Sequence, residues 1–247
     1  IRDSIVHCND WHTGLLPLYL RTWYGWDELF ANTRTLLSIH NIGYQGQFPA
    51  DTIGMLGLSD ARENFHQEHL EEGYVGFLET GLIYAHYLST VSETYAREIQ
   101  DAEHAMGLEA ILPARADHLI GIVNGVDVGE WSPDTDELIP HAFDASDLSG
   151  KAQCKEALLG EMGLPYDADV PVIGIVSRMT GQKGFELLPD ILPVLLQTYD
   201  VRFVILGSGE ERYERYFQWL RDSYPSKVAI YAGCLLYTSD AADDETS

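Results

Sequence analysis

Residues 170–184 read VPVIGIVSRMTGQKG, a nearly continuous apolar run followed by a polar turn that carries two cations. The run over residues 170–176 is rich in Val and Ile and shows no alternation of apolar and polar positions. This pattern is typical of a strand that is covered on both faces in a parallel sheet. Because parallel strands need crossover connections, usually helices, the stretch predicts an α/β fold.

Runs of the same kind recur on both sides of this stretch. They predict further strands over residues 4–8, 35–39, 87–91, 119–123, 201–206 and 227–231. Helical periodicity lies between them, over residues 152–162, 187–196 and 210–224. Pro193 conflicts with the second of these helices, since proline removes a backbone hydrogen bond. The alternation predicts doubly wound sheets with right-handed crossovers.

Composition excludes several classes of partner. The chain has 247 residues, with 15 Lys+Arg against 39 Asp+Glu and a net charge of −24. Such a field repels phosphate backbones and anionic lipid, so neither nucleic acid nor a membrane is expected as a partner. Every apolar run is shorter than the ~18 residues of a membrane span. Cys8, Cys154 and Cys234 lie far apart and are odd in number, which favours free thiols in a reducing compartment, the cytoplasm.

The rhythm of strands and helices stops over residues 125–150, where the sequence becomes polar and rich in turn residues. Such a shift is typical of a linker between domains. We therefore expect one domain with its linker over residues 1–150 and the opening of a second domain over residues 151–233. Residues 234–247 show no helical or strand period and are expected to be a non-native tail, with a natural acidic tail as the alternative. Because the chain begins with Ile1 just before a strand, we expect a piece of a larger protein.

Polar residues follow almost every predicted strand. In chain order the segments are NDWH at 9–12, HNIGYQG at 40–46, SET at 92–94, NGVD at 124–127, SRMTGQKG at 177–184 and GSGE at 207–210. The carboxyl ends of parallel strands meet at one edge of a sheet, where such folds bind ligands. The sequence therefore predicts a polar ligand at that edge.

Arg178 and Lys183 are the most informative of these residues, because cations are few in this chain. They lie five positions apart around a glycine-bounded turn that ends at Gly184, after a predicted strand and before a predicted helix. Two cations beside a helix N-terminus can hold a diphosphate. The segment is not a P-loop, because Lys183 is followed by glycine rather than Ser or Thr. Two solvated loop cations are the alternative.

Other patterns leave their alternatives open. The GSG segment at 207–209 lacks the later glycine of a dinucleotide-binding fingerprint, and a tight turn without a ligand explains it equally well. His40 is either a buried, hydrogen-bonded imidazole or part of a site. The HCNDWH segment at 7–12 could suggest a metal site, but His7 and Cys8 are expected to point to opposite faces of one strand, so no metal is expected there.

Five segments, taken together, carry a resemblance. They are DWHTGL at 10–15, IHNIGYQG at 39–46, VSETYAREI at 91–99, NGVDVGEWSP at 124–133 and SRMTGQKG at 177–184. In these residues and in their order, the chain resembles bacterial glycogen synthases and plant starch synthases, glycosyltransferases of family 5, from about residue 3 to 233. The resemblance implies a retaining transferase of the GT-B type, with two Rossmann-like domains facing a cleft. The implied reaction moves glucose from ADP-glucose to the non-reducing 4-OH of an α-1,4-glucan.

The resemblance implies roles for residues of the second domain. Arg178 and Lys183 would contact the donor diphosphate and stabilise negative charge as the glucosyl–phosphate bond breaks. Gly184, Gly207 and Gly209 are further candidate contacts to the donor. No metal or other cofactor is expected, since the two cations and helix dipoles would take its place.

In the first domain, the resemblance places His40 beside the donor glucose and gives Asp10 and Asn124 the shaping of the sugar pocket. It also implies that a donor-contact loop lies upstream of Ile1 and a catalytic carboxylate segment beyond Gly233. Both domains are therefore expected to be incomplete and the chain alone to be inactive. The alternatives are another retaining GT-B transferase that uses UDP-glucose, as sucrose synthase does, and a non-catalytic glucan-binding homologue.

Overall fold

The computed structural model describes residues 4–233. The predicted tail, residues 234–247, lies outside these residues. Within them the chain forms nine strands and eight α-helices. No helix in this part of the chain is long and apolar enough to cross a bilayer.

By its internal contacts the described part of the chain divides into two units, residues 4–125 and residues 126–233. The predicted domain boundary lies later, at residue 150. Residues 126–148 contain no α-helix or strand, yet they pack on the helix that follows them. The Cys154 thiol donates a hydrogen bond to the His141 carbonyl, and a Cβ on Gly150 would lie 2.0 Å from the Ala142 carbonyl oxygen. These contacts explain why the polar segment groups with the second unit.

The first unit contains a four-stranded parallel sheet and a small antiparallel pair. Its strands are β1 (Ile5–Asn9), β2 (Arg34–Ile39), β3 (Gln47–Pro49), β4 (Tyr74–Gly76), β5 (Tyr87–Thr90) and β6 (Leu119–Gly121). Its helices are α1 (Leu16–Arg21), α2 (Thr52–Met55), α3 (Gln67–Glu71), α4 (Phe77–Tyr84) and α5 (Glu93–Glu98). The sheet order is β1-β2-β5-β6, and β3 pairs with β4. The four predicted strands of this region are confirmed, whereas β3 and β4 were not predicted.

The core of the first unit packs α4 against the sheet. Leu37, Leu78 and Leu88 are fully buried there. Two glycines allow the segment after β1 to approach α4 closely: a Cβ on Gly14 would lie 2.2 Å from the Phe77 carbonyl oxygen. A Cβ on Gly81 would lie 2.8 Å from the Gly14 carbonyl oxygen. This contact holds the polar segment that follows β1 at the sheet edge.

The second unit contains a three-stranded parallel sheet in the order β7-β8-β9. Its elements are α6 (Ser149–Glu161), β7 (Val172–Val176), α7 (Leu188–Thr198), β8 (Arg202–Leu206), α8 (Glu211–Ser223) and β9 (Val228–Tyr231). All three predicted strands and all three predicted helices are confirmed within a few residues at each end. Tyr213, Phe217 and Leu220 of α8 are buried on one face, as the periodicity predicts. Helix α7 continues through Pro193 despite the predicted conflict.

The expected burial of strands on both faces holds for some strands and is wrong for others. In β8 four consecutive residues are buried, so both faces are covered. In β7, which decided the fold class, Ile173 is 40% exposed and Val176 is 59% exposed. In the described sheet β7 is an edge strand. An apolar run therefore identified the strand correctly but not its coverage.

His86 gives the first unit a dependence of stability on pH. The Thr35 N–H donates to His86 Nδ1 at 3.1 Å, and Thr35 Oγ1 lies 2.9 Å from the same atom. Because an N–H can only donate, Nδ1 carries no proton. Burial lowers the pKa of His86 below its ordinary value of 6.5, and the positive charges of Arg21, Arg34 and Arg115 lower this pKa further. The folded chain therefore binds this proton less readily than the unfolded chain.

We expect the free energy of unfolding to fall as the pH is lowered through about 6.5 towards the lower pKa of the folded state, because the unfolded state takes up this proton first. Urea unfolding at pH about 7.5 and about 5.5 measures the loss. His86→Gln, whose amide oxygen can still accept from Thr35, should show a smaller loss than the parent chain. Exposed His104→Gln is the control, and equal pH dependence in the parent chain and His86→Gln would contradict the prediction.

Candidate active site

The carboxyl ends of β1 and β2 bring Asp10 and His40 together, although they are 30 positions apart. The Asp10 carboxylate accepts from the His40 backbone N–H through Oδ1 at 2.8 Å and from His40 Nδ1 through Oδ2 at 2.8 Å. Asp10 itself is only 2% exposed. Its backbone φ of +50° lies in the left-handed region, where a residue with a Cβ is strained. Such strain at a buried charged residue is typical of functional sites.

The pair fixes the state of the His40 ring. A carboxylate can only accept hydrogen bonds, so Nδ1 carries the proton that Asp10 binds. In the neutral ring Nε2 then has a lone pair, and the side chain is partly exposed at the sheet edge. The arrangement can accept a hydrogen bond from a ligand hydroxyl at a defined position. Of the alternatives that the sequence left open for His40, the structure shows a hydrogen-bonded imidazole that is partly exposed, and its part in a ligand site stays a prediction.

A concave surface of about 500 Å³ lies on the same loops, lined by Trp11, Gly43, Tyr44, Gln45, Gly46, Gln47 and Met106. Gly46 has a φ of +59°, and a Cβ there would lie 2.5 Å from the Trp11 ring. The Gln45 amide donates to the Met106 carbonyl at 2.8 Å and connects the two loops. An aromatic wall with amide groups beside it is suited to a sugar.

Tyr95 holds the loop after β2 in place and was not identified from the sequence as a site residue. Its hydroxyl accepts from the Ile42 N–H at 3.1 Å. Ser92 caps α5 by accepting from the Tyr95 N–H, so the VSETY segment positions the tyrosine. Burial raises the pKa of Tyr95 above its ordinary value, and the negative charge of Asp10 acts in the same direction. The sequence carried one signal for this role, a Ser cap three residues before an aromatic residue.

Asn124 is exposed and follows β6 by three residues. It lies in the first unit, as Asp10 and His40 do. Its predicted part in a sugar pocket stays a prediction.

In the second unit, Arg178 and Lys183 lie in the segment that joins β7 to α7. Arg178 is partly buried and Lys183 is exposed. The helix that the sequence placed directly after them begins only at Leu188, because two short 3-10 turns, Gly181–Lys183 and Phe185–Leu187, come first. Gly184 lies between the turns with a φ of +75°, a conformation that favours glycine. Any charge stabilisation here must therefore come from the two cations and local amides more than from a long helix dipole.

Gly207 and Gly209 have a packing reason as well as a predicted ligand contact. A Cβ on Gly207 would lie 2.0 Å from the Ser177 carbonyl oxygen, and one on Gly209 would lie 2.5 Å from the Met179 carbonyl oxygen. Met179 and Gly209 form a parallel bridge. The two glycines therefore hold the loop after β8 against the loop after β7. Their role in donor binding stays a prediction.

Two carboxylates bind backbone amides at this edge of the second unit, and the sequence gave no reason to expect it. The Gly181 N–H donates to Glu210 Oε1 at 2.9 Å, and the Gly209 N–H donates to Glu214 Oε1 at 2.9 Å. Arg212 pairs with the other oxygen of Glu210 at 2.8 Å. In this structure both amides are therefore satisfied by carboxylates of the chain itself.

The chain is similar to known starch and glycogen synthases. Residues 1–114 match the starch synthase catalytic domain. The glycogen synthase of Desulforudis audaxviator is 42% identical over 94% of this chain and 46% of the relative. That of Myxococcus xanthus is 44% identical over 93% of this chain and 48% of the relative. The catalytic domain of starch synthase IV from Arabidopsis thaliana, solved bound to ADP and acarbose, has a TM-score of 0.84, 30% identity, and coverage of 94% of this chain and 48% of that chain.

The matches confirm the resemblance that the five segments carry and the predicted α/β fold of GT-B type, with two Rossmann-like units. The chain spans about half the length of the curated relatives it matches. The matches do not test the individual site residues, whose roles in binding and catalysis stay predictions.

Proposed function

We propose that this chain, which matches the starch synthase catalytic domain and bacterial glycogen synthases, is part of a retaining glucosyltransferase. The enzyme transfers glucose from ADP-glucose to the non-reducing end of an α-1,4-glucan. The observation that carries the proposal is the Asp10–His40 pair, a buried carboxylate that presents an imidazole of defined tautomer at the ligand-binding edge of a parallel sheet.

In this proposal the first unit binds the sugar. His40 Nε2 accepts a hydrogen bond from a hydroxyl of the donor glucose, and Asn124 supplies amide groups to the same pocket. The concave surface beside Trp11 and Tyr44 offers the aromatic contact that sugars commonly make. Asp10 acts through His40 and is a positioning residue.

The second unit binds the leaving group. Arg178 and Lys183 hold the diphosphate of ADP-glucose and stabilise the charge that develops as the bond between glucose and phosphate breaks. The acceptor 4-OH forms the new bond to the anomeric carbon as the bond between glucose and phosphate breaks, its proton passes to the departing diphosphate, and ADP leaves. Two cations supply the charge, so the transfer requires no metal or other cofactor.

The partners of this proposal are ADP-glucose and an α-1,4-glucan, and its compartment is the cytoplasm. Cys8 and Cys154 are free thiols, which fits a reducing compartment. The Arabidopsis structure is of a domain bound to ADP, which favours ADP-glucose over a UDP-glucose donor. A non-catalytic glucan-binding homologue is the remaining alternative.

Asp10→Asn tests the proposal. The amide would place an N–H group opposite Nδ1, so the ring would have to present Nε2–H in place of its lone pair. Transfer of labelled glucose is measured in a chimera, with residues 4–233 replacing the matching half of one of the glycogen synthases. We expect kcat/KM for ADP-glucose to fall about 10- to 100-fold, the effect of leaving a buried polar group with the wrong partner, while ADP affinity is unchanged.

Exposed Asp117→Asn is the matched control and should retain the activity of the chimera. A chimera that folds and binds glucan but transfers no glucose from ADP-glucose or UDP-glucose would favour the non-catalytic alternative. Activity with UDP-glucose alone would favour the other donor. Equal kcat/KM in Asp10→Asn and the parent chimera would remove the Asp10–His40 pair from the mechanism.

A further inference from the structure

A second group of chemically active side chains lies in the first unit, among residues to which the proposed function gives no role. His66 is the N-cap residue of α3, and His69 lies one turn later on the same helix face. Glu79 lies in the first turn of α4. One ligand atom from each of the three residues lies within 4.8 Å of the other two. Two imidazoles and a carboxylate from two helices therefore meet at one point.

The distances describe an incomplete set of hydrogen bonds. Glu79 Oε2 lies 2.9 Å from His69 Nδ1, a normal hydrogen bond. Glu79 Oε1 lies 4.0 Å from His66 Nδ1, which is too long for one. The two imidazole rings are 4.4 Å apart between centroids.

Burial makes the missing hydrogen bond between Glu79 and His66 costly in free energy. The Glu79 side chain is 4% exposed, and neither Glu79 Oε1 nor His66 Nδ1 has a hydrogen-bond partner among the described residues. A buried carboxylate oxygen without a partner is rare in folded proteins, because no hydrogen bond offsets the free energy lost when it is removed from water. Glu79 Oε1 and His66 Nδ1 are 4.0 Å apart, so one additional group between them could satisfy both.

We propose that His66, His69 and Glu79 bind a divalent transition-metal ion, with zinc the best fit. Zinc binds imidazole nitrogen at about 2.0–2.1 Å and carboxylate oxygen at about 2.0–2.2 Å in tetrahedral sites. Tetrahedral geometry at those lengths separates ligand atoms by roughly 3.3–3.5 Å. His69 Nδ1 lies 2.9 Å from Glu79 Oε2, His66 Nδ1 lies 4.0 Å from Glu79 Oε1, and one ligand atom from each residue lies within 4.8 Å of the other two, so side-chain rotations are needed to bring one atom of each to this spacing. Calcium and magnesium prefer oxygen ligands and fit two imidazoles poorly.

The ion can enter, because the His66 and His69 side chains are 29% and 20% exposed while Glu79 is buried. Three protein ligands leave the fourth position to water. The bound ion would join the start of α3 to the first turn of α4. The Phe77 and Leu78 amides at that end of α4 donate to the carbonyls of Gly46 and Gln45. The metal would therefore stabilise the turn that lines the concave surface beside Trp11.

Cobalt titration of the full chain, purified without a polyhistidine tag and treated with a chelator, tests the site. Co²⁺ in a tetrahedral site with nitrogen and oxygen ligands gives visible absorption, and Zn²⁺ should displace it. We expect one equivalent to bind. His66→Gln and Glu79→Gln should each weaken binding at least about tenfold, since even the loss of a residue that only supports a ligand costs that much. Exposed His104→Gln is the control and should bind as the parent chain does.

His66→Gln keeps the His69–Glu79 hydrogen bond, so it separates metal binding from folding. Zn²⁺ should raise the melting temperature of the parent chain and of His104→Gln but not that of His66→Gln. If Co²⁺ gives no visible absorption, or if His66→Gln and the parent chain bind it equally, the cluster is an ordinary histidine–carboxylate pair and the proposal is wrong.

Discussion

We expect replacement of Arg178 or Lys183 by Ala to lower kcat of the chimera about 10²- to 10³-fold, a loss of roughly 3–4 kcal/mol of transition-state stabilisation. The reason is electrostatic. Both side chains lie on the loop after β7, and in the proposed reaction they contact the diphosphate as it acquires negative charge. Arg178 offers a planar fork of donors to two phosphate oxygens, and Lys183 acts as a point charge. Initial rates of glucose transfer at saturating ADP-glucose measure the loss in kcat.

Two other cations of the second unit are matched controls. Arg215 lies on α8 with its side chain 72% exposed, and Lys151 is exposed on α6. Their replacement by Ala should leave kcat within about twofold of the parent chimera, since both are exposed side chains outside the loop after β7. If Arg178→Ala and Lys183→Ala behave as these controls do, the two residues are solvated loop cations, the alternative that the sequence left open.

We expect Gly207→Ala to lower the free energy of unfolding of the second unit by about 2–3 kcal/mol, the usual cost of an extra carbon in a packed site. The new Cβ would lie 2.0 Å from the Ser177 carbonyl oxygen. Neither backbone can move away easily, because the Ser177 N–H donates to the Leu206 carbonyl and the Gly207 N–H donates to the Tyr231 carbonyl, each at 3.2 Å. Urea unfolding of the chain, followed by tryptophan fluorescence, measures the change.

Gly174→Ala in β7 is the matched control, because a Cβ there would have nothing within 4 Å. Its free energy of unfolding should stay within about 0.5 kcal/mol of the parent chain. Equal stability of Gly207→Ala and Gly174→Ala would contradict the packing argument. In that case a loss of ADP affinity in the Gly207→Ala chimera would assign the glycine to donor binding alone.

The strands were the most predictable elements of the fold. Seven were identified from apolar runs, because a run of Val, Ile and Leu five or so residues long fits a strand better than any other element. The pair of β3 and β4 was not predicted, since each has three residues and β3 ends in Pro49. Such short strands exist because their neighbours hold them in register, and no period can appear over three residues.

The candidate site was predictable as a set of residue types but not as a set of contacts. Asp10 and His40 were identified because they follow strands and lie in segments that resemble a known family. That Asp10 binds both the backbone and the ring of His40 depends on β1 pairing with β2 in one register. Glu210 and Glu214 were not identified, because nothing in their local sequence indicates that they bind the amides of Gly181 and Gly209.

Order along the chain therefore decided the fold class and the strands of the two parallel sheets, since these follow from the hydrophobic period. Tertiary structure decided the rest. The tautomer of His40, the close approach at Gly207 and the meeting of His66, His69 and Glu79 each depend on residues from different elements. Such contacts are set by the packing of whole elements, to within about an ångström, and no local pattern in the sequence encodes a distance of that kind.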